Sequence, residues 1–338
     1  MQNIIPNNIN ARYISPEKRY WTGRQTTPDM GIQYWHQLIE MQDAQRLEAP
    51  VFDESITLIG YVSDEGVRRN HGRIGACKGP EALRDRLAKL PVHFDSKRVI
   101  DLGDIVSIDG NMEACQKMLS DVVCATLKMK SFPIIIGGGH DLAYGHFKGI
   151  SKYLKDSANK KIGIINFDAH FDLRPVAEQS NSGTPFYQIL SEFKDSDFTP
   201  EYFAIGIQQQ SNTKELFQVA NSLNINYALN YDCESSEMEL KSLKAKLKPF
   251  IERNDLLYIT IDMDGFSSAY APGVSAPSPL GFTPFFIFKL LSFLFESGKV
   301  ISFDIAELNP ELDRDNLTAL LAAKIVDFVL MNLNLRTT

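Results

Sequence analysis

The chain has 338 residues, with 35 lysines and arginines against 42 aspartates and glutamates, for a formal net charge of −7. Hydrophobic residues at 44% and charged residues at 23% give an ordinary globular balance with material for a large core, which excludes disordered, collagen-like and coiled-coil readings. The acidic balance speaks against a nucleic-acid partner, which calls for a basic face, and no run of about 18 apolar residues is present to span a membrane.

Residues 1–50 carry both tryptophans, Trp21 and Trp35, and no strand pattern, so they are expected to form an N-terminal extension packed on the core or on a neighbouring subunit. The first of them, Met1 to Tyr13, lack the basic segment and apolar core of a secretory signal. Beyond them, short apolar runs alternate with helical patterns. Strands are expected over 56–62, 98–102, 133–136, 161–167, 202–207, 256–261 and 299–303. Several are nearly continuous in Ile, Val, Leu and Phe, as suits strands buried on both faces of a parallel sheet. Gly79-Pro80 opens a helix over 81–90, and helices follow over 112–128, 214–223 and 237–252. Thr283-Pro284 opens another over 285–295, which Gly298 ends, and the last covers 316–333. Strand–helix alternation of this kind predicts an α/β fold with a central, mainly parallel sheet in one domain, 1–338. Cys77, Cys115, Cys124 and Cys233 form no CxxC pair and are too sparse for a disulfide framework, so a cytoplasmic setting is expected.

Three expected strands end in polar clusters, where open α/β sheets bind ligands. The run at 162–167 ends in Asp168-Ala-His170-Phe-Asp172, whose alternation puts Asp168, His170 and Asp172 on one face. The run at 256–261 ends in Asp262-Met-Asp264, and that at 133–136 ends in Gly137-Gly-Gly-His140-Asp141. Each cluster has a plainer reading: a helix cap or ion-pair network for DxHxD, a solvated turn for DxD, an ordinary glycine turn for GGGH. Together, four carboxylates and two imidazoles converging on one sheet edge would repel one another unless cations lay among them. Oxygen-rich ligands with neutral imidazole and no thiolate favour Mn²⁺ or a related ion over structural zinc. Six side chains suit two metals bridged by carboxylates.

These motifs in order, together with SGTP (Ser182 to Pro185), TIDMDGF with a trailing APG (Thr260 to Gly273) and FDIAELNP (Phe303 to Pro310), resemble the arginase-type ureohydrolase superfamily. The stretch DEGVRRNHGR (Asp64 to Arg73), with Gly75-Ala76, Gly79-Pro80 and PGVSAP (Pro272 to Pro277), is similar to its formimidoylglutamase branch. The resemblance covers about residues 55–330. It implies a three-layer α/β/α arginase-like fold, two Mn²⁺ ions per subunit and a trimeric or hexameric homo-oligomer. It also implies hydrolysis of N-formimidoyl-L-glutamate to L-glutamate and formamide by attack of a metal-bridging hydroxide.

By the same resemblance, His140, Asp168, Asp172 and Asp262 would hold one manganese and Asp168, His170, Asp262 and Asp264 the other, with Asp168 and Asp262 bridging. Asp172 would orient the hydroxide and transfer its proton, and Glu307 would pair with the cationic amidine of the substrate. Ser182 and Gly183 stand at the substrate. The chain departs from arginases and agmatinases in carrying Ser182 where they carry a histidine, Ser267-Ser268 after the DxD pair, and GGGHD for GGDHS. Arg174 is expected to grip a substrate carboxylate bidentately, with Arg68, Arg69 or Arg73 as helpers or as loop braces. His71, His93 and His146 read as ordinary polar residues, and nucleophiles built on Cys77 with His71, or on Ser182, are disfavoured. Two alternatives stay open: another ureohydrolase releasing urea from a guanidino compound, and a non-catalytic metal-binding member.

Overall fold

Strands buried on both faces need helices above and below them, and the sequence supplies both sets. The computed structural model describes residues 3–6, 10–47, 54–94, 97–155, 160–194 and 199–333. Its strands are β1 (Ala11–Ile14), β2 (Glu40–Met41), β3 (Ser55–Val62), β4 (Arg98–Ser107), β5 (Phe132–Ile136), β6 (Ile162–Phe167), β7 (Glu201–Ile207), β8 (Asn226–Leu229), β9 (Leu256–Asp262) and β10 (Val300–Ala306). Its helices are α1 (Trp35–Leu38), α2 (Glu65–Arg69), α3 (Gly79–Leu87), α4 (Met112–Lys128), α5 (Leu142–Leu154), α6 (Pro185–Glu192), α7 (Lys214–Ser222), α8 (Glu237–Arg253), α9 (Pro284–Glu296) and α10 (Leu317–Asn332). The strands form one sheet in the order β1-β4-β3-β5-β10-β9-β6-β7-β8, with β2 paired to β4. Every pairing is parallel except β1 with β4.

Alternate strand residues feed two cores, as a period of two requires. Ile134, Ile165, Ile259 and Phe303 pack under α3, α8, α9 and α10. Ile135, Ile164 and Tyr258 pack under α4, α5, α6 and α7. The result is three layers, α/β/α. Helix starts follow their caps: the Asn111 side chain accepts from the Ala114 amide, and Thr283 from the Phe286 amide, with Pro284 in the first turn. Among the described residues no helix is long and apolar enough to cross a membrane.

Seven of these elements were not expected from the sequence: the helices α1, α2, α5 and α6, and the strands β1, β2 and β8, two of them in the extension where no strand was predicted. Gly145 and Gly149 make α5 read poorly as a helix, yet they are what lets it lie against α4. A Cβ at Gly149 would stand 2.6 Å from Val123 Cβ. The strands β1, β2 and β8 have four residues or fewer, too short to show a period. The run expected over 98–102, which already holds Asp101, continues to Ser107 through Gly103 and Asp104, which a sequence pattern reads as a break.

Those two aspartates are matched by Arg84 of α3, itself 1% exposed. Arg84 donates to Asp104 Oδ1 at 2.6 Å, Asp101 Oδ1 at 2.8 Å and the Gly103 carbonyl at 3.0 Å. The other Asp101 oxygen accepts the Trp21 indole N–H at 2.7 Å, and Trp35 donates to Asp327 of α10 at 2.8 Å. The described part of the extension therefore packs on the core of its own chain; residues 1–2, 7–9 and 48–50 of it lie outside the described residues. Removing the carboxylate in Asp101→Ala leaves a buried guanidinium half-paired and is expected to cost about 3–5 kcal/mol. Trp21→Phe should cost only about 1–3 kcal/mol for one unmatched acceptor oxygen. Chemical denaturation of both variants checks the ranking, and an Asp101→Ala cost no larger than that of Trp21→Phe would contradict it.

Candidate metal centre

Four neighbouring strands, β5-β10-β9-β6, bring their carboxyl ends to one place, and each delivers part of a polar cluster there. After β5 the chain must turn sharply between its neighbours. Gly138 donates to the Tyr61 carbonyl at 2.9 Å, and a Cβ on it would stand 1.9 Å from the Ser63 carbonyl oxygen, so only glycine fits. The turn is tied to β10 as well: Glu307 N donates to the Gly138 carbonyl, and Glu307 Oε1 accepts the His140 amide, each at 2.8 Å. Asp172 and Glu307 both sit at positive φ, 49° and 64°. For non-glycine residues such strain costs about 1–3 kcal/mol and collects at functional sites.

His140, 1% exposed, turns its Nδ1 toward three carboxylates: Asp172 at 3.0 Å, Asp262 at 3.2 Å and Asp168 at 3.3 Å. That nitrogen has no hydrogen-bond partner. His170 Nδ1 stands 3.2 Å from Asp264 and 3.5 Å from Asp168. Two ligand-competent groups result: His140, Asp168, Asp172 and Asp262, and next to it Asp168, His170 and Asp264. Asp168 is common to both. Asp262, expected as a second bridge, falls in the first group alone, and its Oδ1 is held by the Asp264 amide at 2.7 Å. Asp168 Oδ1 is likewise held by the His170 amide at 2.7 Å, so each carboxylate is oriented by the backbone two residues on.

The electrostatics are those of too many acids in too little water. Burial, then the Asp168 charge, pushes the Asp172 carboxyl up to about 6. Burial with Asp264 and Asp168 beside it raises Asp262 well above the carboxylate range, and burial also raises Asp264. Glu307 rises to about 8 through burial and the Asp264 and Asp172 charges. Burial alone would lower both imidazoles, but the surrounding carboxylates outweigh it and raise His140 and His170 well above their ordinary value.

A cavity of about 320 Å³ opens over the cluster, lined among others by His170, Asp172, Asp262, Asp264 and Glu307. Glu307 is buried, so it is no surface ion pair. Arg174 and Ser182 are in the wall, joined through Asn70, whose Oδ1 accepts from Arg174 and whose Nδ2 donates to Ser182 Oγ at 3.2 Å. Gly183 does not line the cavity; it stands behind the wall, its carbonyl accepting the Arg174 amide at 3.0 Å, because the chain folds back there before α6. Of the other arginines, Arg69 is spent on Glu65, Glu113 and the Ser180 carbonyl, and Arg68 on Glu65. Arg73 lines the cavity while bonded to the Val274 and Ser275 carbonyls. Burial and the Asp64 carboxylate push the Cys77 thiol up to about 12, which leaves no thiolate for a nucleophile.

Sequence reasoning passed over Asn70 and Ser275 and read His71 as an ordinary polar residue, yet all three line the cavity. The one local signal was their place in the DEGVRRNHGR and PGVSAP stretches. His146 was also read as ordinary; it is fully buried against Asp304.

Residues 54–331 match the arginase family. A formimidoylglutamase of Clostridium tetani (strain Massachusetts / E88) is 39% identical over 326 residues, covering 94% of this chain and 95% of its own. One of Rhodococcus opacus (strain B4) is 40% identical over 307 residues, or 90% and 93% of the two chains. Among solved structures, formimidoylglutamase from Bacillus subtilis subsp. subtilis str. 168 is similar in fold, with a TM-score of 0.76 at 23% identity over 91% of this chain and 94% of that one. Trypanosoma cruzi formiminoglutamase with Mn²⁺₂ gives 0.70 at 26% identity over 82% and 93%. A buried acid–imidazole cluster at the ends of four parallel strands, a family match across most of the length and relatives alike over nearly the whole of both chains have one common reading: this protein belongs to the arginase family.

Proposed function

We propose that the chain hydrolyses N-formimidoyl-L-glutamate to L-glutamate and formamide at a pair of manganese ions. The carrying observation is the cavity itself, which sets a buried carboxylate, Glu307, and a guanidinium, Arg174, around a cluster that cannot stay as it is without added positive charge. Relatives near 40% identity are named formimidoylglutamase, and a solved formiminoglutamase carries Mn²⁺.

The residues fit such ions. Adjacent ligands of an octahedral divalent ion with bonds of about 2.1 Å lie about 3.0 Å apart, and His140 Nδ1 faces its three carboxylates at 3.0–3.3 Å with no hydrogen bond among them. The donors are hard oxygens and imidazole without sulfur, which suits manganese. His140, Asp168, Asp172 and Asp262 would hold one ion, and Asp168, His170 and Asp264 the other. Bound there, the ions supply Lewis acidity and a water acidic enough to act as nucleophile at neutral pH.

The chain's own groups do the rest. Glu307 accepts the amidinium N–H groups, a charge-assisted contact that orients the formimidoyl carbon. Arg174, its fork held toward the cavity by Asn70, takes a glutamate carboxylate. Asp172, held in its strained conformation at the cavity floor, takes the proton from the attacking water and returns it to the departing glutamate amine as the C–N bond breaks. Ser182, where related enzymes carry a histidine, supplies a hydroxyl in the wall, and Gly183 supports Arg174 from behind. Residues 1–338 act as a single metallohydrolase domain. A cytoplasmic homo-oligomer, trimer or hexamer, belongs to this reading on the resemblance alone.

Three measurements test it. Side-by-side assay of N-formimidoyl-L-glutamate, arginine, agmatine and guanidinobutyrate should show turnover of the first alone, lost on chelation and restored by Mn²⁺. Urea from a guanidino compound would overturn the substrate. Arg174→Ala should raise KM about 10- to 100-fold with kcat and metal content little changed; an unchanged KM would remove Arg174 from substrate binding. The third concerns pH. In the metal-free chain Asp172, Glu307, His140 and His170 hold protons in the folded state that the unfolded chain has released, because their folded pKa values are raised. Folded stability therefore falls as pH rises from about 6 to 8. Metal displaces those protons, so the gain in Tm on adding Mn²⁺ should grow over the same interval, and a gain independent of pH would contradict this.

A further inference from the structure

Near the end of its apolar run, β6 carries a polar residue to which neither the core nor the hydrolytic reading gives a task. Asn166 is fully buried, in register with Ala204 of β7 on one side and Thr260 of β9 on the other. An amide in the middle of a sheet is costly unless its groups find partners.

Its two N–H groups both do. Asn166 Nδ2 donates to Asp168 Oδ2 at 3.0 Å and to the Tyr202 hydroxyl oxygen at 2.9 Å. Tyr202, buried on β7, donates its own proton to the Phe171 carbonyl at 3.0 Å, so its oxygen is left to accept. Phe186 of α6 stacks on the Tyr202 ring, centroids 4.5 Å apart and planes 21° from parallel, which holds the hydroxyl in place. The other end of the amide, Asn166 Oδ1, has no partner.

This orientation follows from counting protons. Turned over, the amide would set its oxygen against the Asp168 carboxylate and against a hydroxyl whose one proton is already given to Phe171. The arrangement found keeps two donors bonded and leaves one buried acceptor unmatched. An apolar side chain would fill the place without that cost, and the bond from Tyr202 to Phe171 does not need the amide. What Asn166 alone supplies is the donor on Asp168.

Asp168 is the carboxylate common to both ligand groups. Its Oδ1 accepts the His170 amide at 2.7 Å and stands 3.5 Å from His170 Nδ1. Its Oδ2 accepts from Asn166 and stands 3.3 Å from His140 Nδ1. Each oxygen is therefore held by one N–H and keeps a second lone pair, Oδ2 beside the first group and Oδ1 beside the second. A neutral donor holds the carboxylate in this way and leaves its charge for cations.

We infer that Asn166 is a positioning residue for the shared metal ligand: together with the His170 amide it fixes the plane of the Asp168 carboxylate, so that Oδ2 is presented to the His140 group. The inference rests on the reading of the cluster as a metal site. Hydrogen bonds to ligating groups orient them in general; here each oxygen of the one ligand that both groups use has its own donor.

The test is Mn²⁺ binding by the full-length protein, followed through the EPR signal of the free ion, in the parent, Asn166→Leu, Tyr202→Phe and Ser55→Ala. Ser55 pairs with Ser131 in a buried hydroxyl contact away from the cluster, 2.8 Å long, so its variant reports simple loss of a buried hydrogen bond. The parent should take up two ions per chain. Asn166→Leu should weaken one of them by about 10- to 100-fold and leave the other, served by Oδ1, near its parental Kd. Tyr202→Phe, which frees the amide to turn, should weaken the same ion by less. Ser55→Ala should lower Tm and hold both ions as the parent does. Two parental affinities in Asn166→Leu would overturn the inference, as would an equal weakening in Ser55→Ala. A parent that binds no Mn²⁺ would overturn the metal reading and this role with it. If Asn166→Leu does not fold, Tyr202→Phe decides, and two parental affinities there overturn the inference.

Discussion

Negative charge crowded into a place with little water is the constraint from which the rest of this protein follows. Asp168, Asp172, Asp262, Asp264 and Glu307 share the mouths of four adjacent strands with two imidazoles. Three of these carboxyls are oriented before any ion arrives, Asp168 and Asp262 by the backbone amide two residues on and Glu307 by the His140 turn. Orientation without neutralisation is unstable by itself, since like charges at a few ångströms in a poorly polarisable interior repel strongly. The protons taken up by Asp172, Glu307, His140 and His170 relieve that repulsion in the metal-free chain. Divalent cations relieve it better, and in doing so make the same groups useful for hydrolysis.

Holding such a cluster requires a rigid base. The sheet supplies it, with an apolar core on each face covered by a layer of helices. Strain is confined to the rim, where Asp172 and Glu307 lie in left-handed backbone conformations and Gly138 threads between two carbonyls. A second polar set lies inside the sheet, His146 with Asp304, Ser302 and Tyr258, and in it only one Asp304 oxygen lacks a partner. A third polar knot, Arg84 with Asp101 and Asp104, lies toward the opposite edge of the sheet, where it anchors Trp21 and the N-terminal extension.

The opening of the cavity belongs to loops rather than strands. Asn70 and Arg73 come from the segment after α2, Arg174 and Ser182 from the stretch before α6, and Ser275 from the loop after β9. Strand ends hold what must not move, and loops carry what must match a substrate, which is the division of labour that lets one scaffold serve different C–N substrates.

Much of this could be read before folding. Alternation along a strand is a matter of covalent geometry, so DAHFD and TIDMD announced which side chains share a face, and near-continuous Ile and Val runs announced a parallel sheet. Asp168, His170, Asp172, Asp262 and Asp264 were legible for that reason, His140 through the glycine turn before it, and Glu307 through the family resemblance alone. Other parts were hidden by local ambiguity: α5 carries two glycines whose value lies in contact with α4, and β4 carries two aspartates whose match, Arg84, sits on another element. Tertiary structure alone decided that β5, β10, β9 and β6 stand side by side, so that Asp168 serves both ligand groups while Asp262 joins one. It alone brought Asn70 against Arg174 and set His146 on Asp304, 158 residues away. Period and propensity act over a few residues and survive in the sequence; strand order and loop approach come from packing, which no short window contains.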